Sequence, residues 1–281
     1  MPMSYRITVV IPCYNDGAYI EDAINSILGQ TLNDYQIIIV DDGSDKSTKD
    51  ILKRLDHEKI KVYYEANKGV SSARNFGIAL SESEYILTLD ADDYFEPTFL
   101  EKALDILETH SDVAVVGCYH YLVSDRKIKH VVRPKGGTIT NFLTKNEGLG
   151  NALFRRSCWE QVGGYDAHMT TGYEDWEFWI AILAKGWRME IIKEPLFYYR
   201  IKENSRNMKA TNFHDLELKS YIFNKHFNIY SAHFKRVTLR LLKNNDRLYK
   251  RNIVLTQSIE YRLGRFLLTP FKKIKKLISI K

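Results

Sequence analysis

Over its first 120 residues the chain alternates short β-branched runs with segments whose apolar residues recur every three or four positions. This pattern allows few architectures. A strand that is apolar on both faces has to be covered on both sides, and the connection between two parallel strands is a helix. Ile7–Ile11, Ile37–Val40, Val62–Tyr64, Tyr85–Leu89 and Val113–Tyr119 read as strands. Between them, Ile20–Leu28, Ser47–Leu55, Ala73–Leu80 and Thr98–His110 read as helices. The expected fold class is α/β: a mostly parallel, doubly wound, Rossmann-like sheet flanked by helices. From Tyr121 to Gly150 the pattern breaks into loop and antiparallel strand. A helix over Glu174–Lys185 and a strand over Glu190–Leu196 follow, and the chain beyond Asn204 reads as helical.

In such sheets ligands bind beyond the carboxyl ends of the strands. Three polar clusters follow strands directly: Tyr14-Asn15-Asp16, Asp41-Asp42-Gly43-Ser44 and Asp90-Ala91-Asp92-Asp93. The fold would gather them on one edge. Carboxylates this close repel one another unless a cation sits among them. Mg²⁺ or Mn²⁺, bridging carboxylates to a substrate phosphate, suits such hard oxygen ligands. The plainer alternative is an acidic turn ahead of the helix near Pro97.

Composition narrows the class. With 44% hydrophobic and 27% charged residues, the 281-residue chain reads as globular. No signal peptide and no bilayer-spanning run is expected. Cys13, Cys118 and Cys158 are widely spaced and odd in number, so free buried thiols in a cytoplasmic protein are expected. The net charge of +6 is uneven: Lys243–Lys281 holds 11 Lys and Arg against two acids, leaving the remainder at −3.

Several segments, in order, resemble family 2 inverting nucleotide-sugar glycosyltransferases of GT-A-type fold. They are Val10-Ile11-Pro12-Cys13-Tyr14-Asn15, Val40-Asp41-Asp42-Gly43-Ser44, Gly69-Val70-Ser71-Ser72-Ala73-Arg74-Asn75 and Leu89-Asp90-Ala91-Asp92-Asp93. Val162-Gly163-Gly164-Tyr165-Asp166, Gly172-Tyr173-Glu174-Asp175-Trp176-Glu177 and Tyr199-Arg200-Ile201-Lys202-Glu203-Asn204-Ser205 complete the series. The resemblance covers roughly residues 5–205. It implies that Pro12 and Tyr14 border the nucleobase, that Asp42 accepts a hydrogen bond from a base such as uracil, and that Arg74 contacts base or diphosphate. Asp90, with Ala91, would hold the donor ribose or sugar. Asp92 would bind Mn²⁺ or Mg²⁺, and Asp93 would support it. Asp175 would be the general base, with Glu174 and Trp176 at the acceptor. Where many relatives carry a His after Tyr199-Arg200, this chain has Lys202, which can pair with phosphate as a point charge but cannot ligate a metal while protonated.

The expected domains are a catalytic domain over 1–205, divided into a nucleotide-binding half (about 1–95) and an acceptor half (about 96–205), and a basic helical extension over 206–281. Neither a Gly-x-x-x-x-Gly-Lys loop nor the Gln-x-x-Arg-Trp signature of processive synthases occurs. The expected activity is transfer of a single sugar from a nucleotide-diphosphate donor, UDP-linked by the resemblance, to a saccharide or lipid-linked saccharide. Nucleotidyl transfer to sugar phosphates and a non-catalytic nucleotide-sugar-binding subunit are the alternatives. Thr269-Pro270 reads as a helix start. Phe271, Ile274, Leu277 and Ile278 would share one face and four lysines the others, which suits either the inner face of an anionic membrane or docking on the catalytic domain. No nucleic-acid partner is expected.

Overall fold

The computed structural model describes residues 5–124, 127–202 and 206–278, so Glu203, Asn204 and Ser205 of the last motif lie outside the described residues. The chain divides into two compact units, Met1–Ala232 and His233–Lys281.

The first unit opens with β1 (Ile7–Cys13), α1 (Ile20–Leu28), β2 (Tyr35–Asp42), α2 (Lys46–Leu52), β3 (Ile60–Glu65), α3 (Val70–Ala79) and β4 (Tyr85–Thr88). After these come β5 (Tyr94–Phe95), α4 (Phe99–Thr109), β6 (Val113–Ser124), β7 (Lys127–Val132), α5 (Ile139–Phe142), β8 (Leu153–Arg155) and α6 (Arg156–Val162). α7 (Glu174–Leu183), β9 (Arg188–Arg200), α8 (Arg206–Lys209), a π-helical turn (Ala210–His214), α9 (Asp215–Lys225) and α10 (Phe227–Ala232) close it.

The strands form one sheet in the order β3-β2-β1-β4-β8-β6-β9-β5, with β7 paired to β6. β3, β2, β1 and β4 are mutually parallel, and β6 is parallel to β9. The two parallel halves are joined by β8, antiparallel to both β4 and β6. The sheet is therefore mixed, more so than the alternation of strands and helices suggests. Three residues long, β8 carries too short a pattern to be read in advance.

Every residue of β1 is buried. Ile7, Val9, Ile11 and Cys13 face the large core layer, to which α1 and α4 contribute. In α1, Ile20, Ala23, Ile24 and Ile27 form the buried stripe, and each buried Ile contributes on the order of 1.5–3 kcal/mol. α3 covers the opposite face and comes very close. A Cβ on Gly77 would lie 2.6 Å from Val10 Cγ1, so only glycine permits this approach. α2 starts at Asp45, whose side chain accepts from the Thr48 N–H at 2.8 Å. β9 extends beyond the expected Glu190–Leu196. Its register against β6 shifts around Pro195, an irregularity that accommodates a residue with no N–H to donate. Cys13, Cys118 and Cys158 are free and buried as expected, and burial lifts their thiols to about 12, 12 and 11.

Two expectations need correction. The boundary between units falls at 232/233 rather than 205/206. α9 and α10 bury Leu218, Ile222 and Tyr230. They are also tied down by Tyr173 Oη donating to Asp215 at 2.7 Å, and by Lys225 and His226 meeting the buried Glu177, each at 2.8 Å. The second correction concerns the tail. In the second unit, α11 (Phe234–Gln257) and α12 (Ile259–Ile278) meet at Ser258, so no helix starts at Thr269-Pro270. Thr269 Oγ1 donates to the carbonyl of Arg265, a mid-helix bond, and the helical backbone continues through Pro270. The side chains beyond Thr269 lie outside the description. Among the described residues no helix is long and apolar enough to cross a membrane.

Candidate active site

Because β1, β2 and β4 are parallel, their carboxyl ends share one edge, and β9 ends there too. A cavity of about 530 Å³ opens at this edge. The ends of β1 and β2 and the turn after β1 contribute Pro12, Cys13, Tyr14, Asp16 and Asp42, and the start of α3 with the chain leading into it contributes Asn67, Gly69 and Val70. Asp90, Ala91, Asp92 and Asp93 come from the turn after β4. Thr170, Tyr199, Arg200, Lys202 and Arg206 complete the lining.

Hydrogen bonds between neighbouring loops stiffen the rim. The Asn15 N–H donates to Ser44 Oγ, and the Asp45 N–H donates to Asn15 Oδ1. Asp42, 4% exposed, accepts from the Lys68 and Gly69 N–H groups at 2.8 and 2.9 Å. It therefore holds the loop that borders the cavity, and each oxygen retains a second lone pair. Tyr14 presents a ring that is 52% exposed.

The turn after β4 sorts its carboxylates into different tasks. Asp90 pairs with Arg74 at 2.6 Å. Burial opposes its ionisation, but Arg74 and Arg206 outweigh that and hold it below the ordinary carboxylate range. Asp93 is buried, and burial with the charges of Asp92 and Asp90 pushes it well above that range. Its Oδ1 accepts from the Arg200 N–H at 2.7 Å, pinning the end of β9 to the turn. Asp92 is raised by burial and by Asp90, against the pull of Lys202. The Lys202 ammonium lies 2.6 Å from Asp92 Oδ2 and 2.6 Å from Asp16 Oδ1.

Three expected contacts are placed differently. Arg74 is 1% exposed and does not line the cavity. Its guanidinium bridges Asp90 and, at 3.0 Å, Glu174. Glu174 is 3% exposed and accepts from Arg74 and from Arg206, the latter at 2.5 Å. It anchors these two guanidinium groups. Trp176 is 4% exposed and its indole donates to the Phe142 carbonyl at 2.7 Å, so it belongs to the core and offers no open face to a sugar. The apolar surroundings of α7 favour its burial more than its position beside Asp175 favours exposure.

Asp175 is half-buried at the start of α7, outside the cavity lining. Burial, then the Glu174 charge, raises its carboxyl to about 6, with Arg74 pulling the other way. Asn146 Nδ2 donates to its Oδ2 at 2.9 Å. A carboxylate poised near neutrality is suited to general-base work.

Sequence reasoning missed Asn151, whose Oδ1 accepts from the Asp90 N–H at 2.6 Å and whose amide lies near both Asp90 and Asp93. It also missed Asn146. Asn146 lies in the segment read as loop and Asn151 directly follows it, and nothing in their local pattern marks them. Asp16 was visible only as part of a polar cluster, and Arg206 had no signal.

A mixed sheet with an acid-lined cavity at its carboxyl edge matches the expected GT-A-type fold. A solved structure of S. aureus TarS residues 1–349 aligns with a TM-score of 0.59 at 21% identity, over 69% of this chain and 60% of that one. The complex of the same protein with UDP-GlcNAc aligns at 0.62 and 21% identity, over 73% and 61%. This chain therefore spans about three fifths of that structure's length. The family model for glycosyl transferase family 2 matches residues 8–163. An uncharacterized glycosyltransferase of Nostoc sp. is 31% identical over 235 residues, covering 74% of this chain and 68% of the relative. The putative teichuronic acid biosynthesis glycosyltransferase TuaG of Bacillus subtilis is 32% identical over 208 residues, covering 71% and 80%. The chain belongs to glycosyl transferase family 2.

Proposed function

We propose that the chain transfers a single sugar, with inversion, from a UDP-linked donor to a saccharide or lipid-linked saccharide acceptor, assisted by Mn²⁺ or Mg²⁺. The observation that carries this reading is the pairing of two features. One is a cavity lined by Tyr14, Asp42, Asp90 and Asp92; the other is a separate carboxylate, Asp175, held near neutrality outside that lining. The first suits a nucleoside diphosphate-sugar and the second suits activation of a hydroxyl. The UDP and UDP-GlcNAc complexes of the TarS structure support a uridine donor.

In this reading the exposed Tyr14 ring, with Pro12, offers a face to the uracil. Asp42 fixes the loop beside it and accepts from the base. Asp90, oriented by Arg74 and Asn151, accepts from donor hydroxyls. Asp175 takes the proton from the acceptor hydroxyl, which attacks the anomeric carbon opposite the departing diphosphate. Among the described residues no group of three or more His, Cys, Asp and Glu side chains could hold a metal ion on its own. The carboxylates of Asp92 and Asp16 nonetheless converge on one cationic point with hard oxygen donors, which fits Mn²⁺ or Mg²⁺ sharing its coordination with a diphosphate. Bound there, the ion would neutralise charge on the leaving diphosphate.

The second unit suits an anionic membrane surface close to a lipid-linked acceptor. It carries 14 Lys and Arg against two acids. In α11, Phe234, Leu241, Leu248 and Leu255 recur at every seventh position and are all more than half exposed. An apolar stripe with basic flanks is the pattern of an interfacial helix. Cosedimentation of the full chain with anionic but not zwitterionic vesicles is expected, and equal partitioning to both would count against it.

A panel of nucleotide sugars, tested with Mn²⁺ for release of UDP, identifies the donor. Asp175→Asn should abolish transfer and leave UDP binding intact. Near-normal transfer by that variant would remove Asp175 as the base, and release of pyrophosphate would indicate nucleotidyl transfer instead.

A further inference from the structure

Lys202 stands two residues beyond β9. The Arg200 N–H is bonded to Asp93, in the same turn as Asp92. From there the Lys202 ammonium reaches Asp16 Oδ1 and Asp92 Oδ2, both at 2.6 Å, and sits 4.8 Å from the centre of the Tyr19 ring. Asp16 and Asp92 come from the turns after β1 and β4. The fold places a cation from its own chain between them. Among the described residues, this ammonium is the ion-pair partner of both carboxylates. An ammonium has three donors, two of which meet these carboxylates, leaving one for a further acceptor. Asp16, Asp92 and Lys202 all line the cavity.

We propose that Lys202 is a resident cation of the donor site, whose ammonium competes with a divalent ion for the Asp16–Asp92 carboxylate pair and itself pairs with the donor diphosphate. The inference rests on the reading of the cavity as a nucleoside-diphosphate site. Its physical basis is exclusion. A divalent ion held by both carboxylates and the ammonium now between them would occupy the same place, and like charges at that range repel strongly in a partly desolvated cleft. When the ion binds, the ammonium must leave. The nearest compensating charge is then the diphosphate, which a lysine on a flexible stem can follow. At low divalent-ion concentration the ammonium alone would provide part of the charge neutralisation. The chain would then bind a nucleoside diphosphate with little dependence on metal.

The test uses the full-length chain and two readouts independent of turnover. Mn²⁺ binding is followed by electron paramagnetic resonance without nucleotide, and UDP binding by calorimetry in the presence of EDTA. The proteins are wild type, Lys202→Met and Lys202→Arg. Lys202→Met should bind Mn²⁺ about tenfold more tightly than wild type and lose about tenfold or more in metal-free UDP affinity. Lys202→Arg keeps the charge and should stay near wild type in both. A variant that simply folds poorly would weaken both ligands, so a gain in Mn²⁺ affinity is specific to the exclusion. Unchanged Mn²⁺ affinity in Lys202→Met, with UDP still bound by the wild type, overturns the role of Lys202 alone. Failure of the wild type to bind UDP with or without Mn²⁺ overturns the donor-site reading beneath it.

Discussion

Replacing Arg74 with Met tests the part of the site least visible from its surface. The Arg74 guanidinium joins Asp90, whose side chain is 29% exposed, to Glu174, whose side chain is 4% exposed. Removing one partner of a buried ion pair costs about 3–5 kcal/mol, because the other charge is left uncompensated. The two ends contribute unequally. Water can reach Asp90, so its end is discounted, and Glu174 dominates. Arg206, 38% exposed, also meets Glu174 and recovers part of the loss. The lower part of the range, about 3 kcal/mol, is therefore expected, with a fall in Tm of roughly 6–12 °C for a chain of this size. Thermal and urea unfolding of Arg74→Met, Glu174→Gln and the double variant would measure it. Removing the stranded carboxylate should make the double variant about 1 kcal/mol or more stabler than Arg74→Met alone, the coupling expected of contacting residues. A loss under about 1 kcal/mol in Arg74→Met, or strictly additive single effects, would refute the reasoning.

The pH profile should report Asp175. Its carboxyl is raised to about 6, so the ionised base is present above that pH and lost as pH falls through it. The kcat/KM for transfer should fall about tenfold per pH unit on the acid side, and a profile flat down to pH 4.5 would exclude this base. Gly77→Ala should destabilise. Its Cβ would lie 2.6 Å from Val10 Cγ1 and 3.1 Å from Val40 Cγ2. Overpacking of about 1–3 kcal/mol then outweighs the roughly 1 kcal/mol gained in helix propensity, and a raised Tm would contradict the close approach.

The recurrence of buried strands and amphipathic helices through residues 7–119 determines the covered parallel half of the sheet, since a strand such as Ile37–Val40 has no other way to hide both faces. It also determines that Tyr14, Asp42, Asp90 and Asp92 meet, because residues that follow parallel strands directly must share an edge. These are consequences of period and order, which a linear chain carries. The antiparallel β8, the alignment of β9 past Pro195, and the inclusion of α9 and α10 in the first unit are not. Each depends on partners far away in sequence, and a three-residue strand or a Tyr173–Asp215 bond has no period. The same limit explains the site. The resemblance implies ligand contacts for Arg74, Glu174 and Trp176, whereas burial and long-range partners hold these side chains in the interior. Only the tertiary structure brings Asn146 to Asp175, Asn151 to Asp90, and Lys202 between Asp16 and Asp92. Electrostatic and hydrogen-bonding roles depend on distance in space, and sequence order specifies that distance only within an element.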